Sequence, residues 1–92
     1  MIGAAECECL IPDVHSLKEK RAVLQRVITR LKQKFNASVA EVDFQDTWQR
    51  TVIAIVVVSS SKVSTERELQ RAIAYLDSFP EIERTVTSIE WF

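Results

Sequence analysis

Twelve lysines and arginines against thirteen aspartates and glutamates leave this 92-residue chain near neutrality, which excludes a binder of polyanions driven by net charge alone. Hydrophobic residues make up 47% of it, enough for a packed core and too many for a disordered tail, although a chain this short buries only about 60–65% of the surface it exposes when unfolded. The longest apolar run, residues 52–58, falls far short of the roughly 20 residues that span a bilayer, and the amino terminus lacks the basic start of a secretory signal, so a cytoplasmic location and no membrane partner are expected.

In chain order, residues 2–11 alternate, with Ala5, Cys7, Cys9 and Ile11 on one side and Glu6 and Glu8 on the other, which is the period of a half-buried strand. Two cysteines at this spacing point to one face without disulfide geometry and read as reduced, buried apolar side chains. Pro12 ends the strand. Ser16 followed by Glu19 makes a capping box, and Leu17, Leu24, Val27, Ile28, Leu31 and Phe35 then form the stripe of a helix that stops near Asn36.

Ala40, Val42 and Phe44 alternate with Glu41, Asp43 and Gln45, which predicts a second half-exposed strand with the apolar set inward. After a turn near Asp46 and Thr47, residues 51–58 are apolar at both parities, as in a central strand covered on both faces. Thr65 and Glu68 repeat the capping box before Leu69, Ala72, Ile73, Leu76 and Phe79, the stripe of a second helix. Val86, Ile89, Trp91 and Phe92 complete a last strand, with Trp91 or Phe92 adding to the sheet's open face.

The order β-α-β-β-α-β predicts an α+β fold of ferredoxin-like kind: a four-stranded antiparallel sheet in order 4-1-3-2 with both helices on one face, and one domain over residues 1–92. In that topology the third strand is central, as its apolar run requires.

Four stretches carry a likeness to a known family: Met1-Ile2-Gly3, Ser16-Leu17-Lys18-Glu19-Lys20-Arg21, residues 35–43 from Phe35-Asn36-Ala37-Ser38 to Asp43, and Gln45-Asp46-Thr47-Trp48-Gln49-Arg50. In them the chain resembles the YlxP-like bacterial proteins, a domain family of unknown function. The resemblance implies the ferredoxin-like topology and brings no activity or cofactor. Its genes often stand beside those of a translation initiation factor and a ribosome-binding factor, which implies an association with ribosomes.

Charge is unevenly distributed. Residues 16–34 hold seven basic side chains and one acid, Glu19. At 100° per residue, Arg26 and Arg30 point away from the core, with Lys18, Arg21 and Lys32 on one flank and Lys20 and Lys34 on the other. Such a ridge neutralises phosphates, and the N–H groups near Ser16 add partial positive charge. The anion-binding candidates are accordingly His15, Ser16, Lys18, Lys20, Arg21, Arg26 and Arg30. The plain alternative is a solvated helix face. Topology brings the start of this helix to the same end as the hairpin, whose Trp48, Gln49 and Arg50 are candidate partner contacts, Trp48 being either a stacking platform or a lid on the core.

The open sheet face is a poor RNA-stacking surface, because Glu6 and Glu8 repel phosphate there and the third strand has no aromatic residue. Its apolar content predicts a homodimer that covers it, burying about 800 Å² per partner. No catalytic residue, metal site or cofactor is assigned. His15 has no zinc-site companions, and an acylphosphatase-like phosphate loop would need a glycine that residues 11–15 lack. The reading is a non-enzymatic binding protein whose partner is ribosomal or other structured RNA. The alternatives are a protein–protein adaptor that docks through the hairpin and a metal-dependent nuclease using Glu41, Asp43 and Asp46.

Overall fold

Alternating burial organises the first strand as its sequence requires: in β1 (Ile2–Leu10) Ala5, Cys7 and Cys9 are sealed beneath the helices, while Glu6 and Glu8 face the open side. The computed structural model describes residues 1–92. It continues with α1 (Leu17–Lys34), β2 (Ser38–Asp43), β3 (Arg50–Val58), α2 (Lys62–Asp77) and β4 (Glu83–Trp91). The sheet order is β2-β3-β1-β4, all antiparallel, which is the expected order read from its other edge. Both helices contribute to one core with β1 and β3, joined at its ends by Val14, Phe79 and Ile82.

Gly3 is required by close approach. A Cβ there would lie 2.7 Å from Trp91 Cζ3, 2.8 Å from Leu69 Cδ1 and 2.9 Å from Thr65 Cγ2. The β4 ring thereby packs against α2 at the point where β1 starts.

Three local expectations are corrected. The second helix is capped four residues before Thr65. Ser61 is that cap, with Ser61 Oγ accepting the Ser64 N–H at 3.1 Å, and Thr65 is buried, its hydroxyl donating to the Ser61 carbonyl at 2.9 Å. A run of three serines offers several competing caps, and burial of Leu69 and Thr65 selects one that lets the helix reach the core.

β2 has the opposite parity to the one its composition suggests. Val39 and Glu41 face the helices, whereas Ala40 pairs with Ala54 and Val42 stands exposed at a bulge between Glu41 and Asp43. A charge inside was invisible to hydrophobic patterning because its counter-charge comes from α1. The central strand β3 is sealed on one side only: Thr51, Ile53, Ile55 and Val57 are buried, Val52, Ala54 and Val56 half-buried, and Val58 exposed on the open side. Of the last aromatics, Trp91 joins the core and Phe92 stays on the open side, 70% exposed.

Candidate nucleic-acid interface

Ser16 caps α1 as expected, its Oγ accepting the Glu19 N–H at 3.1 Å, while the Glu19 carboxylate reaches one residue further back and accepts the His15 N–H at 2.5 Å. The helix N-terminus therefore carries its own anion. His15 is exposed beside it and is free of any carboxylate of the chain within ion-pair range.

The α1 stripe runs Leu17, Lys20, Leu24, Val27, Leu31 at helical spacing, so Lys20 occupies a core position. Its side chain is fully buried, and its ammonium donates to the Phe44 carbonyl at 2.6 Å and the Thr47 carbonyl at 2.5 Å and lies 3.0 Å from Glu41 Oε2. Glu41 also accepts from Thr51 Oγ1 at 2.6 Å. All three ammonium donors are used. Lys20 therefore leaves the basic ridge. Its place in the apolar series was the sequence signal for this, and it reads the same way as a solvated flank unless Glu41 is known to face it.

The hairpin is tied down a second time by Gln49, whose amide donates to the carbonyls of Pro12 at 3.1 Å and Val14 at 3.0 Å, while the Ile11 N–H donates to the Gln49 carbonyl at 2.9 Å. Phe44 takes a left-handed backbone (φ 59°), a conformation that costs a non-glycine residue about 1–2 kcal/mol. Its N–H is held by Asp43 Oδ1 at 2.8 Å, and the Arg50 guanidinium lies 4.1 Å from its ring centroid. Arg50 also pairs with Glu8 across the open face. Gln49 and Arg50 are thus spent within the fold, and Trp48 alone of the three hairpin candidates remains free, 49% exposed and no lid on the core.

Along the rest of α1, Arg26 is paired with Glu81. Arg30 and Lys34 instead rest on aromatic faces, with the Arg30 guanidinium 5.9 Å from the Phe79 centroid and Lys34 Nζ 4.5 Å from that of Tyr75. Lys18 and Arg21 are exposed without a carboxylate partner. The carboxylates weighed as a metal cluster are split between the two faces of the sheet: Glu41 points to the helices, while Asp43 pairs in register with open-face Val52. The chain contains no grouping of three or more His, Cys, Asp or Glu side chains placed to hold a metal ion.

The two thiols are chemically quiet. Burial pushes Cys7 above its ordinary value and Cys9 up to about 12, and Cys9 Sγ lies 3.6 Å from the Cys7 carbonyl. At the edge of the sheet Arg84 grips Asp77 with two bonds of 2.8 Å, which hold the Asp77 carboxyl below its usual range and the guanidinium above.

A family model described as "Protein of unknown function (DUF503)" matches residues 2–89, from the first residue of β1 through Ile89 of β4. The chain belongs to that family. It is also 65% identical, over the full length of both chains, to the "Uncharacterized protein YlxP" of Bacillus subtilis (strain 168). The YlxP-like resemblance read from four stretches is thus shown, and the fold gives three of those stretches a physical connection. In this DUF503 chain the segment opening α1 supplies Lys20, residues 35–43 supply Glu41, and the hairpin segment supplies the Thr47 carbonyl, all meeting at one buried ammonium.

Proposed function

We propose that this chain is a non-enzymatic RNA-binding protein that engages phosphate through its helix layer. The observation that carries the reading is the partition of charge. Four of the twelve basic side chains have a carboxylate within 4.0 Å, and every one without such a partner lies on α1 or α2. The opposite face carries Glu6, Asp43 and Glu90 without a cation within 4.0 Å, which repel the same ligand, while Glu8 there is matched by Arg50. Unpaired cations at close spacing release counterions when they meet a phosphate backbone, and this favours RNA even for a protein of near-zero net charge. Lys18 and Arg21 are the residues of the basic ridge expected to matter most at the α1 start, because Lys20 and Arg26 are already neutralised within the fold.

Homodimerisation through the open sheet face belongs to the same proposal. Val58 and Phe92 are each more than 60% exposed there beside Ile2 at one end of the sheet, and Val86 is as exposed across from Glu8 toward the other end, apolar content that a second copy would cover. Charge reversal at Lys18 and Arg21 is expected to weaken co-sedimentation with ribosomal RNA and to flatten its salt dependence, whereas Val58→Asp is expected to change sedimentation velocity only. Binding that is equal and salt-insensitive in the wild type and in the reversal variant would falsify the RNA reading, and an unchanged monomeric sedimentation of the wild type would remove the dimer.

Exposed Trp48 supports a second reading, an adaptor that docks a protein on the hairpin, because Lys20 and Gln49 present that indole on an ordered loop without burying it. A partner retained after nuclease treatment and lost on Trp48→Ala would favour it.

A further inference from the structure

The two helices meet in a seam that adds cations from α2 to those of α1. Near the C-terminal end of α1 the seam opens into a groove of about 640 Å³, lined among others by Lys34, Phe35, Glu68, Arg71, Tyr75 and Ser78. Lys34 comes from α1 and Arg71 from α2. On the far side of Arg71, a smaller depression of about 200 Å³ continues past Arg67 and Ser64 along α2. Glu68 is the one acid in both, and it pairs with no cation within 4.0 Å.

The floor of this seam is aromatic. Phe35, Tyr75 and Phe79 pack edge to face, with centroids 5.7 Å and 5.3 Å apart, and Lys34 and Arg30 rest on the Tyr75 and Phe79 rings. An aromatic face fixes a cation's position without consuming its N–H donors, whereas a carboxylate consumes both donor and charge. Lys34 and Arg30 are therefore positioned and still able to donate. This distinguishes them from Lys20 and Arg26, whose charges are already met.

We propose that the α1–α2 seam is a phosphodiester-binding groove for RNA, gripped from both walls by Lys34 and Arg71 and continued over α2 by Arg67. This rests on the RNA reading above and names the surface that makes it bidentate. Lys18 and Lys34 are sixteen residues apart on one helix, about 24 Å along its axis at 1.5 Å per residue. A ligand that touches both ends is a macromolecule, and an open groove crossed by cations from two helices suits a continuous backbone more than a single phosphate.

The test is fluorescence anisotropy with a labelled RNA hairpin over a salt series, comparing wild type, Lys34→Glu with Arg71→Glu, the neutral pair Lys34→Gln with Arg71→Gln, and Lys18→Glu with Arg21→Glu. Both seam variants substitute exposed side chains, and the neutral pair keeps the result readable if charge reversal disturbs folding. The expected result is weaker binding by both seam variants, with the slope of log affinity against log salt smaller by about two for the neutral pair. Unchanged affinity and slope in both seam variants, together with loss of binding on reversing Lys18 and Arg21, overturns the groove and leaves the RNA reading standing. No salt-dependent affinity in the wild type overturns both. Poly-glutamate competing as well as unlabelled RNA at matched charge would overturn the assignment to phosphodiester.

Discussion

Lys20 Nζ stands 3.0 Å from Glu41 Oε2, an ion pair between a helix and an edge strand in which the lysine is wholly enclosed and the glutamate is 18% exposed. The same ammonium holds the carbonyls of Phe44 and Thr47, so one side chain of α1 fixes both the parity of β2 and the path of the hairpin after it. An enclosed charge costs several kcal/mol to desolvate, and only complete pairing offsets that cost.

Removing one partner is expected to be severe. Lys20→Met should destabilise by about 3–5 kcal/mol, because Glu41 and two carbonyls lose their donor together. Glu41→Gln should destabilise the wild type yet be neutral or stabilising in the Lys20→Met background, where it removes an unpaired charge. Urea unfolding of the four proteins of this cycle measures the coupling, and additive effects would show that the pair does not act as a unit.

Gly3→Ala is expected to destabilise by about 1–3 kcal/mol through overpacking, since the new methyl meets Trp91, Leu69 and Thr65 within 3.0 Å and the last two are fully buried. Combining Gly3→Ala with Trp91→Leu should recover part of the loss. Thermal melts of the single and double variants decide it, and a Gly3→Ala protein as stable as the wild type would mean that the Trp91 ring gives way freely.

Above neutral pH the buried thiols predict a decline in stability. Both Cys7 and Cys9 hold their protons more tightly in the fold than at the ordinary value of 9.0, Cys9 up to about 12, so the unfolded chain ionises first. Stability is whole below pH 9 and falls as pH rises from there toward 12, at a limit of about 1.4 kcal/mol per pH unit for each thiol protonated only in the fold. Replacing both cysteines by alanine should lower stability at neutral pH and flatten its fall above pH 9. Equal slopes for the two proteins would contradict the assignment.

Asp77 and Arg84 give a smaller effect of opposite sign. The Asp77 carboxyl is held low, chiefly by hydrogen bonds from Arg84, so the pair's contribution is present above the ordinary carboxyl range and is lost as pH falls through the depressed value. With Asp77 42% exposed, solvent screening keeps this below about 1 kcal/mol. Asp77→Asn should remove it at neutral pH and leave acid unfolding slightly less steep, as read by circular dichroism through an acid titration.

Periodicity was enough for most of the fold because each main element buries one face against the same core. Alternation in β1, the stripe of α1 and the double-sided apolar run of β3 led to the topology and to the adjacency of the α1 start and the hairpin, which Lys20 and Gln49 now make concrete. The candidate site was legible only as an inventory of charge. Local sequence fixes which faces of a helix can be wet, but it says nothing of what stands opposite.

Composition and spacing by themselves determined the number, type and order of the elements, because backbone periodicity and hydrophobic burial act over a few neighbouring residues. Only the tertiary structure decided that Lys20 is an internal tie while Lys18 and Arg21 are not, that Arg26 is neutralised by a residue 55 positions away, and that Lys34 and Arg71 share a groove. Electrostatic pairing depends on distance in space, and a charge's partner in this chain comes from another element.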